Sequence, residues 1–180
     1  MRALCVVLVS VLVPAIASGQ SSSRSVSIQA AAGPTIVDPG YSVSAAGGFS
    51  PNSRVTIFVD VQRTQLFSRT THYEDGFGVF RGGTLTAVSG EVRVGFWPAH
   101  RVTPYALAGI GGGVSRPTVN ADFPDPVTNR AGFIFFGGGV HVPLRERLSF
   151  FADARLLAGA EGTEGIIAII PVRAGMAWRF

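Results

Sequence analysis

The chain has 180 residues, a formal charge of +4 and a single cysteine, and all 15 of its basic side chains are arginine. Its mean hydropathy of +0.35 is high for a water-soluble protein, yet after Ile16 no apolar run approaches the roughly 20 residues that a spanning helix needs. One cysteine excludes a disulfide framework and a thiolate metal site, and arginines scattered along the chain, in no single patch, argue against a nucleic-acid-binding tract despite a pI near 10.2.

Met1 and Arg2 make a short positive start, Ala3 to Ile16 is apolar, and Ala17 and Gly19 occupy the small-residue positions before Gln20. This is the layout of a cleaved secretory signal peptide over residues 1–19. Cys5 lies inside it, so the exported chain has no thiol and its stability must come from elsewhere. Residues 20–180 have the length of one domain.

From Ser25 the dominant period is two, the period of a β-strand. The first strand alternates Val26, Ile28, Ala30 and Ala32 with Ser27, Gln29 and Ala31, and Asp38-Pro39-Gly40 turns the chain. The second runs from Tyr41 to Phe49, and Pro51-Asn52-Ser53 turns it again. The third is expected to place Val55, Ile57, Val59 and Val61 outward and Thr56, Phe58, Asp60 and Gln62 inward. Arg63 to Gly83 is a long loop whose flanks are expected to continue the strands as a hairpin.

The fourth strand, Thr84 to Phe96, sets Val88, Val92, Val94 and Phe96 against Ser89, Glu91 and Arg93, and Trp97-Pro98-Ala99-His100 ends it. The fifth, Val102 to Ser115, is expected to turn Tyr105 and Leu107 outward before running through Gly109, Gly111, Gly112 and Gly113. Pro117 to Asn129 is a second long loop. The sixth, Arg130 to Leu144, carries Ile134, Phe136, Val140 and Val142 outward and His141 inward. After Arg145-Glu146-Arg147 the seventh, Leu148 to Ala158, alternates Phe150, Ala152 and Ala154 with Phe151, Asp153 and Arg155. The eighth, Ile166 to Phe180, has one wholly apolar row ending Met176, Trp178, Phe180, and a second row that holds Arg173 and Arg179.

Apolar rows facing out and mixed rows facing in are the pattern of an outer-membrane barrel. The connections after the second, fourth and sixth strands are short, and those after the third and fifth are long, which places both termini on the periplasmic side. The short first and last outer connections are a mild departure. In hydrocarbon an unpaired backbone N–H or C=O costs several kcal/mol, so the first strand must pair with the eighth. The expected fold is all-β, an eight-stranded antiparallel up-and-down transmembrane β-barrel, with an interior just wide enough for side chains. Two aromatic girdles are expected: Phe49, Phe96, Trp97, Tyr105, Phe150, Trp178 and Phe180 at the periplasmic end, and Tyr41, Phe77, Phe80 and Phe133 at the outer end.

Trp178 and the terminal Phe180 resemble the C-terminal strand signature of bacterial outer-membrane β-barrel proteins, which assembly machinery reads. From about Ser25 to Phe180 the chain resembles the small outer-membrane β-barrel family that includes OmpA-type transmembrane domains and OmpX. The resemblance implies a monomer in contact with outer-membrane lipid, lipopolysaccharide and the barrel-assembly machinery, with no nucleic acid and no cofactor. Because the sequence stops at its eighth strand, no peptidoglycan-binding domain is expected.

The inward polar side chains include Gln29, Gln62 and Arg179 and, as the expected lumenal network, Asp60, Glu91, Arg93, His141, Asp153, Arg155 and Arg173. Buried charges must be paired, so the structural reading is a satisfied ion-pair network. The catalytic reading is a lipid A deacylase, which needs a serine beside a histidine oriented by a carboxylate. His141 is followed by Val142 and Pro143, His72 and His100 sit in a loop and a turn, and no hydrolase, zincin or phosphate-loop motif occurs. No catalytic, cofactor or metal residue is assigned. The in-strand glycines are read as room for bulky neighbours or sharp bending.

The leading expectation is a structural or surface-interaction role through the loops Arg63–Gly83 and Pro117–Asn129. The alternatives are a barrel that binds or passes a small solute, which needs a continuous lumen, and a lipid-modifying enzyme. The rival fold is a soluble lipocalin-like carrier or β-sandwich, whose outward rows would carry charge.

Overall fold

The computed structural model describes residues 24–73, 76–80, 82–97, 101–119, 124, 127–161 and 165–180, so the expected signal segment, residues 1–19, lies outside the described residues. The strands in order are β1 (Ser25–Thr35), β2 (Gly40–Ser50), β3 (Val55–Leu66), β4 (Arg69–Tyr73), β5 (Gly76–Phe80), β6 (Gly83–Gly95), β7 (Thr103–Pro117), β8 (Asn129–Pro143), β9 (Leu148–Glu161), β10 (Gly165–Ile169) and β11 (Val172–Arg179). Nine of them form one sheet in the order β10-β9-β11-β1-β2-β3-β6-β7-β8, and β8 also pairs with β9, so the sheet closes on itself.

β10 and β11 act as one strand. Ile169 faces Leu157 and Val172 faces Ala154 in a single register along β9. The ladder is interrupted only at Ile170 and Pro171, where the proline has no N–H to donate, although Arg155 N still donates to Pro171 O at 3.1 Å. The result is an eight-stranded antiparallel barrel. β4 and β5 are not extra staves: Arg69 faces Phe80 in the register by which Leu66 faces Gly83, so the hairpin continues β3 and β6 past the barrel wall. The seam pairs β1 with β11 from Ser27–Arg179 to Ala32–Ala174, and Phe180 N donates to Val26 O at 2.8 Å.

The two ends differ. At one, the turn end, lie the short connections 51–54, 96–102 and 144–147 together with both ends of the described chain. At the other, the loop end, lie the β4–β5 hairpin, the 118–128 connection and the shorter links 36–39 and 162–164. Trp97, in the turn after β6, has a positive φ of 52°, an uncommon conformation for a residue with a side chain.

The outer wall is apolar. Val59, Val88, Ile110, Ile134 and Phe136 are each more than half exposed, and such continuous apolar rows suit hydrocarbon rather than water. Phe49, Phe96, Trp97, Phe150, Trp178 and Phe180 project outward near the turn end, and Tyr41 does so near the loop end. Phe77 and Phe80 belong to residues whose side chains are not described.

Several expected orientations are overturned. Tyr105 (4% exposed), Leu107 (3%) and Phe133 (7%) point into the lumen rather than to the outer wall or its girdles. The reason is the pairing of β7 with β8. On their inner faces Tyr105 opposes Gly139, Leu107 opposes Gly137, and Phe133 and Phe135 oppose Gly111 and Gly109. Tyr105, Phe133 and Phe135 fill the space their partner glycines leave empty, as a narrow closed barrel requires. Val55 is also buried, against expectation. Asn52 Oδ1 accepts the N–H groups of Arg54 and Val55 at 2.9 Å each and folds the turn over the barrel mouth.

Candidate functional site

Midway along the lumen the inward rows of β3, β6, β9 and β11 deliver three carboxylates and three guanidiniums to one layer. Arg173 reaches across to Asp153, with Nε and Nη2 each 3.0 Å from a carboxylate oxygen, while its Nη1 donates to Asp60 Oδ2 at 3.1 Å and Ser44 Oγ at 2.8 Å. Arg155 lies 2.6 Å from Glu91 Oε2, 3.3 Å from Asp153 Oδ1 and 3.4 Å from Asp60 Oδ2. Arg93 donates to Glu91 Oε1 through Nε at 3.1 Å and Nη2 at 2.9 Å. Tyr105 OH completes the layer with a bond to Asp153 Oδ2 at 3.1 Å. All six charged residues are buried, and their formal charges cancel.

Aromatic rings back the arginines from the turn-end side. The Arg93 guanidinium sits 4.3 Å from the Tyr105 ring centre, 4.7 Å from Phe58 and 5.3 Å from Phe151, a cation–π cage that holds a charge away from water. On the loop-end side the lumen turns apolar. Leu85, Ala87, Leu107, Ala131, Phe133, Phe135, Leu157 and Ile169 form one packed cluster. Beside this cluster, on β2 and β3, a short polar chain runs from Gln62 Nε2 to Thr64 Oγ1 (2.9 Å) and from Thr64 Oγ1 to Ser42 Oγ (3.2 Å), with Gln62 and Thr64 facing Ala87 and Leu85.

Of the seven residues expected to form the network, the structure brings six together. His141 is half-buried nearer the turn end, and it shares no hydrogen bond or ion pair with the six. Its cross-strand neighbours are Thr103 and Phe151, so no carboxylate stands beside it to orient the ring. His72 and His100 have no described side chain. Arg179, expected inside, is exposed at the turn-end rim, where Nη2 donates to Glu146 O at 3.1 Å. Tyr105 belongs to the layer but was hidden from sequence reasoning, because the glycines that admit it lie on another strand. Among the described residues no group of histidine and acidic side chains is placed to hold a metal ion, and no helix is long and apolar enough to cross a membrane, which says nothing of strands.

No protein-family model matches the chain, and no curated protein matches it by sequence. Solved structures do match its fold. Neisserial surface protein A superposes with a TM-score of 0.66 at 15% identity, over 89% of this chain and all of that one. The N-terminal β-barrel domain of Pseudomonas aeruginosa OprF gives 0.58 at 19% identity, over 89% and 100%. Ail, the attachment invasion locus protein of Yersinia pestis, gives 0.51 at 15%, over 87% and 97%. At these identities the likeness establishes the fold, which is that of the small eight-stranded outer-membrane β-barrels.

Proposed function

We propose that this chain is a bacterial outer-membrane barrel with a closed lumen, and that it acts at its loop end as a surface-interaction protein. The carrying observation is the β4–β5 hairpin, which prolongs the barrel's own ladder beyond the wall. Phe67 N bonds to Pro39 O, so the β1–β2 turn ends level with Phe67. The hairpin then runs six residues further to Tyr73, on the order of 20 Å at about 3.3 Å per residue. A ladder-built projection is a stiff platform for contact, and it costs less entropy on binding than a free loop.

The lumen favours this over transport. Arg155, Arg173, Phe151 and Leu157 are fully buried, and opening a path would mean separating paired charges in a low-dielectric interior. Ail and Neisserial surface protein A, by their names an attachment protein and a surface protein, share the fold and support a role at the surface. The heparin analogue found with Ail is not carried over. In this reading the orientation puts the turn end in the periplasm, and Trp178 and Phe180 serve assembly.

The test replaces the hairpin, residues 67–82, by an Asn-Gly turn joining Leu66 to Gly83 and leaves the barrel ladder whole. Cells displaying each form are compared for attachment, and the purified barrels for conductance. Loss of attachment with an unchanged heat-dependent gel mobility supports the proposal. Unchanged attachment together with steady ion conduction by the intact barrel would sink it in favour of transport.

A further inference from the structure

The arginines look scattered in sequence, but the fold brings six of them to one end, with Arg63, Arg116 and Arg130 exposed toward the other. Arg24, Arg54, Arg101, Arg145, Arg147 and Arg179 all stand exposed around the turn-end rim, opposed by Glu146 as the acidic side chain of the short turns. The three inner arginines are neutralised within the lumen. The turn end therefore carries six exposed arginines against Glu146, in a ring where the apolar wall meets water.

One part of this collar is a built groove of about 320 Å³, lined by Arg145, Glu146, Arg147, Leu148 and Trp178. Its floor is fixed. Leu144 N and Arg145 N both donate to Leu148 O at 2.9 Å, and Arg179 N donates to Arg147 O at 2.8 Å, which staples the β8–β9 turn to the last strand. Arg179 Nη2 occupies the Glu146 carbonyl. Among the described residues no carboxylate pairs with Arg145 or Arg147. Below the two guanidiniums the outer wall continues as Trp178, Met176 and Phe150, each more than a third exposed. The site thus presents two unpaired cations above an aromatic edge above an acyl-compatible surface, the vertical order of a phospholipid.

We propose that the groove between Arg145, Arg147 and Trp178 is the seat of an anionic phospholipid in the leaflet that meets the turn end. The phosphate lies against the two guanidiniums, which can bind it through paired N–H donors, and the acyl chains run along Trp178 and Met176. This rests on the membrane reading above. The rest of the collar raises the local concentration of anionic headgroups.

The chain offers its own probe, because Trp97 and Trp178 are its two tryptophans. A Trp97→Phe barrel leaves Trp178 as the reporter. It is refolded into phosphatidylcholine bilayers carrying trace phosphatidylglycerol or trace phosphatidylcholine with brominated acyl chains, whose bromines quench indole on contact. We expect phosphatidylglycerol to quench Trp178 at about a five-fold lower mole fraction, the factor that matches ~1 kcal/mol, the contribution of one arginine near a charged surface. R145Q/R147Q should bring the two lipids together, R145K/R147K should keep most of the preference, and R63Q at the opposite end should leave it untouched. Equal quenching by both lipids in the arginine-bearing barrel overturns the seat while leaving the barrel in the bilayer. Absence of quenching by either overturns the membrane reading and the seat with it. Loss of the preference on adding inorganic phosphate would make this a site for a free anion and overturn the lipid as occupant.

Discussion

Arg173 on β11 and Asp153 on β9 stand directly opposite each other in the ladder and meet fork to fork, with two N–H donors each 3.0 Å from a carboxylate oxygen. Strand register and charge pairing are here the same fact: a slip of one residue between the strands would put the two groups on opposite faces of the wall. Both side chains are buried, so neither charge has water to fall back on.

Breaking this pair therefore strands a charge. Asp153→Asn should lower the stability of the refolded barrel by about 3–5 kcal/mol, read as a lower urea midpoint, and Arg173→Gln should do the same. The double variant should lose less than the sum of the singles, because neither partner is then left alone. Additive losses would show that the two charges are held independently.

A second prediction concerns space. A methyl group on Gly48 would overlap the Phe58 ring, which supplies its three nearest atoms, whereas one on Gly132, on the outer wall, meets nothing within 4 Å. Gly48→Ala should cost about 1–3 kcal/mol, as overpacking does, and Phe58→Leu added to it should recover most of the loss. Gly132→Ala should stay within about 0.5 kcal/mol. Equal effects at the two sites would mean that the lumen is not packed as described.

The outer wall can be tested with one charge. Val59 is 59% exposed near the middle of β3. Val59→Arg should weaken folding into bilayers by about 2–4 kcal/mol, while Val59→Leu should be neutral. A barrel that accepts the arginine substitution without loss is facing water, and the lipocalin-like carrier would become the working description.

A fourth prediction separates assembly from stability. Phe180 contributes one seam hydrogen bond through its backbone N–H, which any residue but proline supplies, and its side chain is 66% exposed. Phe180→Ala should refold in detergent with its heat-dependent mobility intact, yet accumulate several-fold less in the outer membrane of cells. Equal accumulation would remove the terminal aromatic from the assembly signal.

Much of the architecture was legible along the chain because a β-strand writes its own period. Wherever one row was apolar and the other polar, as in β1, β3, β6 and β9, the inward set followed, and Asp60, Glu91, Arg93, Asp153, Arg155 and Arg173 were found together. The link of β4 and β5 to the barrel ladder was also expected, as a continuation of the flanking strands, although residues 63–83 are less regular in pattern.

What the sequence by itself determined is thus the eight-fold alternation and the need to close it, both local consequences of a two-residue period and of unpaired backbone in hydrocarbon. Only the tertiary structure decided the direction of β7, whose two rows are both apolar or glycine, so that period two cannot choose between them. Tyr105 and Leu107 turn inward because Gly139 and Gly137 stand opposite, a complementarity between residues about 30 or more positions apart in the chain. The same holds for charge. Arg24 and Arg179 are separated by nearly the whole sequence and share one rim, because closing the sheet sets β1 beside β11.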